Sequence, residues 1–188
     1  MLNFNILYGN LHPIKIKRAK GTRKEERVMG TAVPIIRGEG EGERRWFAGG
    51  GLWTIKATAE ETDGAFILFE DRMPRGKTTP LHTHPHEDET VIVLEGEILV
   101  HVEGSEHRVG TGGIVVVPRG TRHAFLVTSE IARILALQTP GSGEAFYRDA
   151  SEPSTDETDA ERPADFDRLR AAAERNPSCI EILGPPPL

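Results

Sequence analysis

The sequence predicts an all-β chain, an antiparallel sandwich or barrel with an irregular N-terminal arm and a short C-terminal helix. Three observations carry this. Between residues 46 and 140, runs of about four to eight β-branched and apolar residues follow one another, each bounded by glycine, proline or charge. No helical period intervenes, and no gap is long enough for the crossover helix that a βαβ unit needs. At 188 residues, 37% of them hydrophobic, the chain suits one domain with length left for extensions. The expected organisation is an N-terminal extension over 1–45, a barrel over 46–140 and a C-terminal extension over 141–188.

Taken in order, FNIL and AVPII read as short candidate strands in the otherwise unplaced N-terminal segment. RGEGEGERR reads as a flexible connector, because its glycines resist regular structure. LWTIKATAE and AFILFEDRM read as strands separated by the turn-like ETDG. TVIVLEGEILVHVEG reads as a hairpin turning at or beside Glu95-Gly96, with Val100 and Val102 on one face of the return strand. EHRVG, GGIVVVPRG, HAFLVTS and ARILALQTP continue the series. Beyond Pro140, GEAFYRD suits a short helix or a segment lying against the barrel mouth, and the polar SEPSTDETDAERP reads as a linker or disordered segment. ADFDRLRAAAERN places Phe166, Leu169 and Ala173 at helical spacing, with Asp165 as the cap and Pro177 beyond the stop. CIEILGPPPL allows an edge strand, its prolines forbidding a central one.

Composition excludes several function classes. The net charge of -6 disfavours nucleic acid as a default partner, and the basic stretch over 12–30 has neither aromatic interleaving nor a recognition helix. A single cysteine, Cys179, rules out an intrachain disulfide and a thiolate-rich zinc site. The first residues lack the pattern of a secretory signal, and no stretch approaches a membrane span, so a cytoplasmic protein is expected.

The chemistry concentrates in TPLHTHPHEDETVIVLEGE, residues 79–97. On an extended segment His82 and His84 leave the same face. Glu89 opens the following apolar strand, and His123 opens the run HAFLV, so facing strands would bring all four together. Three imidazoles and one carboxylate suit a divalent first-row metal (Fe, Ni, Mn, Co or Zn) and not calcium, which takes oxygen ligands. His86 reads as an exposed loop residue, and His101 and His107 as structural or surface groups. Glu87 and Asp88 are expected to face solvent beside the site. Lys77, Arg119 and Arg122 are expected at the rim. Val91, Val93, Phe125 and Trp53, with Phe66 or Phe69, are expected to line an apolar interior.

These spacings resemble those of the cupin family. GKTTPLHTHPHEDETVIVLEG supplies Gly76, His82, His84, Glu89 and Gly96 at the places of its first motif. GGIVVVPRGTRHAFLV supplies Gly112, Pro118, Gly120 and His123 of its second. The second motif's asparagine place holds Val127, a position that is not a metal ligand in the family. The resemblance implies a jelly-roll β-barrel over roughly residues 50–140, with His82, His84, Glu89 and His123 as metal ligands and a homodimer as the assembly.

Within the family, PHEDETVIVLEGEILVHVEG, PRGTRHAF and TPGSGEAFYRD are most similar to small single-domain cupins related to quercetin dioxygenase. That implies a dioxygenase acting on a flavonol or another small enolic or phenolic chelator, with Glu89 as general base. Two other readings stay open. One is an oxygen-independent metal-dependent isomerase, decarboxylase or hydrolase; the other is a non-enzymatic shell binding a small aromatic.

Overall fold

The computed structural model describes residues 33–188. FNIL lies outside them, and the described part of AVPII is not a strand: Val33 and Ile36 are exposed and join neither sheet. Twelve strands form two antiparallel sheets among the described residues. They are β1 (Glu43–Phe47), β2 (Leu52–Ala57), β3 (Ile67–Pro74), β4 (Leu81–Thr83), β5 (Asp88–Glu95), β6 (Glu97–Val102), β7 (Ser105–Gly110), β8 (Ile114–Val117), β9 (His123–Val127), β10 (Ile131–Thr139), β11 (Ser151–Pro153) and β12 (Glu181–Gly184). The larger sheet runs β11-β1-β2-β3-β10-β5-β8 and the smaller β12-β4-β9-β6-β7. This is a jelly-roll arrangement, with helices α1 (Glu144–Asp149) and α2 (Phe166–Arg175) following the barrel strands.

Alternation decides which residues face inward. Along β3, Ile67, Phe69, Asp71 and Met73 are buried, and along β10 so are Ala132, Ile134, Ala136 and Gln138. An aspartate and a glutamine thus occupy two positions of an otherwise apolar inner face. Between the sheets Trp53 stacks on Phe69 with centroids 3.7 Å apart and on Phe47 at 4.8 Å, and Phe146 and Tyr147 of α1 close on the same cluster.

The expected hairpin at Glu95-Gly96 is not one. β5 pairs with β10 and β8, whereas β6 pairs with β7 and β9, so Gly96 is the corner where the chain leaves one sheet for the other. Its φ is 79°, and a Cβ there would collide with the Ile131 carbonyl and the Ser129 hydroxyl. The tight turn comes one strand later: Glu103 and Gly104, with φ of 47° and 85°, link β6 to β7 as a primed two-residue turn does.

The acidic segment expected to be a linker is ordered. β11 pairs with β1, and residues Glu157–Glu161 form a 3-10 helix. The reason is partnering that composition does not show. Glu152 meets Arg162 at 2.9 Å and Arg168 at 2.7 Å, the Asp156 side chain accepts from the Thr158 N–H, and Arg162 stacks 3.8 Å over the Trp46 ring. In α2 the Asp165 side chain caps by accepting from the Arg168 N–H at 3.0 Å. Leu169 and Ala173 are buried as expected, but Phe166 remains exposed. β12 takes the edge position beside β4.

Gly96→Ala is expected to destabilise the protein by at least twice as much as Gly104→Ala. The latter meets nothing within 4 Å and bears only the left-handed backbone cost of about 1 kcal/mol. Equal shifts in denaturant midpoint for the two variants would refute the corner assignment.

Candidate metal centre

Three strands and one short loop deliver the polar cluster. β4 carries His82, and His84 follows it directly. Glu89 lies near the start of β5, and His123 opens β9. The β4–β9 pairing sets His82 opposite His123. The donor atoms of His82, His84, Glu89 and His123 all lie within 4.8 Å of one another. The three imidazoles are buried, and the carboxylate is partly so.

Each imidazole is oriented by the main chain. His82 Nδ1 lies 2.8 Å from the Pro80 carbonyl, His84 Nδ1 2.8 Å from that of Cys179, and His123 Nδ1 3.0 Å from that of Thr121. A carbonyl only accepts, so each Nδ1 carries the proton and donates. In a neutral ring the lone pair then sits on Nε2. This is the arrangement in which metal-binding histidines are held.

The electrostatics agree. Burial pushes the Glu89 carboxyl up, but the His123 hydrogen bond and the three surrounding imidazoles outweigh it and hold the pKa at about 2. Burial draws His82 well below its ordinary value, with help from the neighbouring imidazoles, and it also lowers His84. At His123 burial acts downward too, but Glu89 at 3.0 Å prevails and the pKa is raised. A carboxylate can only accept from His123 Nε2, so without a cation that imidazole is the protonated member of the set. The cluster fits a divalent metal: Nε2 lone pairs and one anionic oxygen converge, and a cation would take the place of the His123 proton.

The cluster borders a cavity of about 60 Å³. His82 and Glu89 lie on its wall with Trp53, Phe69, Phe125 and Tyr147. Phe66, half-buried, is not among the lining residues; Val91 and Val93, on the Glu89 face, are buried in the core. The segment after the barrel contributes Phe146, Leu169, Ile180 and Ile182.

Two expectations about neighbours need correcting. Lys77 is not at the rim: it is buried on the cavity wall, 2.9 Å from Asp71. Glu87 does not face solvent: it is buried and accepts a hydrogen bond from the Ser142 hydroxyl, because the chain after β10 folds over it. Nor does either acid hold an imidazole, since backbone carbonyls fill that role. Asp88 sits at the surface paired with Arg119 at 2.7 Å, and Arg122 is exposed and paired with Glu103 at 2.7 Å. His86 and His107 are exposed, His101 is half-buried, and no helix among the described residues is long and apolar enough to cross a membrane.

Sequence reasoning missed Gln138, Tyr147 and the Cys179 carbonyl. Gln138 is fully buried, donates to the Tyr147 hydroxyl and lies with its Nε2 3.1 Å from His84 Nε2. The period-two pattern of β10 puts Gln138 on the inner face, and that was a usable signal.

Residues 69–137 match the family described as Cupin domain. Over 122 residues the chain is 32% identical to quercetin 2,3-dioxygenase of Bacillus subtilis strain 168, an alignment covering 65% of this chain and 36% of that protein. Over 73 residues it is 40% identical to endoribonuclease YbeY of Myxococcus xanthus, covering 38% and 24% respectively. The chain therefore spans about a third and a quarter of the lengths of these two relatives. Among solved structures, a predicted oxalate decarboxylase from Thermotoga maritima superposes with a TM-score of 0.51 at 21% identity, covering 57% of this chain and 99% of that one. That likeness concerns the fold alone.

Two outcomes test the centre. Deleting residues 177–188 removes the carbonyl that orients His84, and zinc affinity is expected to fall about ten- to a hundredfold. The measurement is competition against a chromophoric chelator on protein whose circular dichroism still reports a sheet; undiminished affinity would refute the role of Cys179. In the undeleted protein zinc affinity is expected to fall about tenfold per pH unit below the raised His123 pKa, because metal and proton compete for Nε2. A flat profile there would refute the protonated state assigned to His123.

Proposed function

We propose that this chain, a member of the cupin superfamily, is a metal-dependent dioxygenase acting on a small enolic or phenolic chelator. The observation that carries the reading is Glu89: an ionised carboxylate set among three main-chain-oriented imidazoles and opening onto an aromatic cavity. The resemblance to quercetin 2,3-dioxygenase supports the choice of reaction class. A divalent first-row metal held by His82, His84, Glu89 and His123 would supply Lewis acidity, making the hydroxyl of a chelating enol easier to deprotonate.

The chain's own residues would do the rest. Glu89 is ionised at neutral pH and so is free to accept the enol proton. When its bond to His123 is given up, burial, the largest single influence on this carboxyl, raises its basicity toward the range a general base needs. Trp53, Phe69 and Phe125 offer flat apolar faces that hold a planar ligand and keep water away. Gln138 and Tyr147 form a hydrogen-bonded pair beside His84, on the side away from its main-chain partner. In the overall reaction the deprotonated substrate supplies the electrons and both oxygen atoms of O2 enter the organic products.

The cavity bears on substrate size. About 60 Å³ is less than half of the roughly 150 Å³ that takes a benzene molecule in an engineered apolar cavity. A single-ring chelator requires the aromatic walls to adjust, and a flavonol requires the segment carrying Leu169, Ile180 and Ile182 to move as well. The reading therefore favours the smaller members of the class.

Oxygen uptake tests it directly. Metal-free protein is reconstituted separately with iron, nickel, cobalt, manganese and zinc, then offered quercetin and single-ring enolic or phenolic chelators. Uptake is expected with at least one metal, and Glu89→Gln is expected to lower the rate by about a hundredfold or more. No uptake with any combination, where metal binding is confirmed, would sink the dioxygenase and favour an oxygen-independent isomerase or decarboxylase, or a binding shell.

A further inference from the structure

The cavity has a second polar feature, remote in sequence from the histidine motif. Lys77 lies in the loop after β3, yet its side chain is buried and reaches the cavity wall. Its ammonium is 2.9 Å from Asp71 Oδ2 and 3.0 Å from Met73 Sδ, and it sits 4.8 Å from the centroid of the Phe125 ring. An ammonium has three N–H groups. One is taken by the carboxylate and one by a thioether, a weak acceptor. Among the described residues the third has only aromatic faces, that of Phe125 and, at 6.0 Å from the ammonium, that of Phe47.

Packing does not account for this pair. A buried ion pair gives little net stability over apolar residues of the same shape, and besides Asp71 the ammonium is met by the Met73 thioether and the rings of Phe47 and Phe125. Charge decides what it suits. Asp71 already neutralises Lys77, so an anion would gain little and would meet the carboxylate's field. A neutral oxygen needs only a donor, and Lys77 offers one in a dry site where an unmade hydrogen bond is costly.

We propose that Lys77 is a ligand-positioning residue that donates to a neutral carbonyl or hydroxyl oxygen of an aromatic ligand in this cavity. Asp71 holds the ammonium in place and keeps the pole neutral. The cavity then recognises a ring by its walls and, apart from any group that meets Glu89, by one uncharged acceptor. This deepens the proposed function and rests on its assignment of the cavity as the substrate site.

The test is calorimetric titration of the full chain, treated with chelator so that metal contributes nothing, with toluene, acetophenone and benzoate. The three share one ring, so the cost of opening the walls cancels. Acetophenone is expected to bind about tenfold tighter than toluene, the size of one hydrogen bond to a charged donor, with benzoate no tighter than toluene. In the double variant Asp71→Asn, Lys77→Met the preference is expected to vanish. If that variant does not fold, lysine-selective 15N labelling of the unmodified chain decides: acetophenone, and not toluene, shifts the buried ammonium signal. Equal affinities, a preference that survives in the folded variant, an unmoved ammonium signal, tightest binding by benzoate, or no binding of any probe would overturn the proposal. Oxygen plays no part in this readout. A failed uptake assay with this ranking intact removes the dioxygenase alone, and uptake with a flat ranking removes Lys77 alone.

Discussion

The centre depends on three main-chain carbonyls. Those of Pro80, Thr121 and Cys179 each take the Nδ1 proton of one histidine, and that choice turns all three Nε2 atoms toward Glu89. Side-chain partners for those protons would have brought further carboxylates and their desolvation cost into a buried site. Carbonyls bring no net charge and no rotamer freedom. Two of them come from the loops that lead into the strands of the histidines they hold, two residues away in sequence. The third is contributed by the segment after α2, so the site is complete only when that segment is docked.

The post-barrel segment is accordingly part of the functional unit. β11 extends one sheet and β12 the other, α1 supplies Phe146 and Tyr147 to the aromatic cluster, and Leu169, Ile180 and Ile182 form part of the cavity wall. Ser142 closes over Glu87, and the Cys179 thiol donates to the Ser142 carbonyl at 3.4 Å. These contacts join the two ends of the segment to the histidine side of the barrel. They account for the burial of Cys179: its small side chain packs while its main chain orients an imidazole.

Much of this was legible in particular residues. The His-x-His spacing at 82 and 84, Glu89 at the head of a greasy strand and His123 at the head of another identified the cluster, because strand geometry turns such spacings into faces. Helix α2 was legible from Asp165, Leu169 and Ala173. The Gly96 corner was not, since a glycine between two strands carries the same local signal for a tight turn and for a passage between sheets. The order of residues 151–161 was hidden because their partners, among them Arg168 and Trp46, are remote or look like ordinary surface residues. Asp71 was partly legible: strict alternation along ILFEDRMP places it with Ile67 and Phe69. Lys77 and Glu87 were not, because the direction of a loop side chain is set by contacts distant in sequence. A carbonyl such as that of Cys179 leaves no trace in residue type at all.

The distance along the chain between His84 and its orienting carbonyl has a temporal consequence. The two are 95 residues apart. At translation rates of about 5 to 20 residues per second, His84 emerges from the ribosome roughly 5 to 20 s before Cys179. During that interval the main-chain acceptor for its Nδ1 proton is missing, and the ring is held at most from the Nε2 side, by Gln138. The mature geometry of the candidate centre is therefore a late event in biogenesis, set by the order in which residues leave the ribosome.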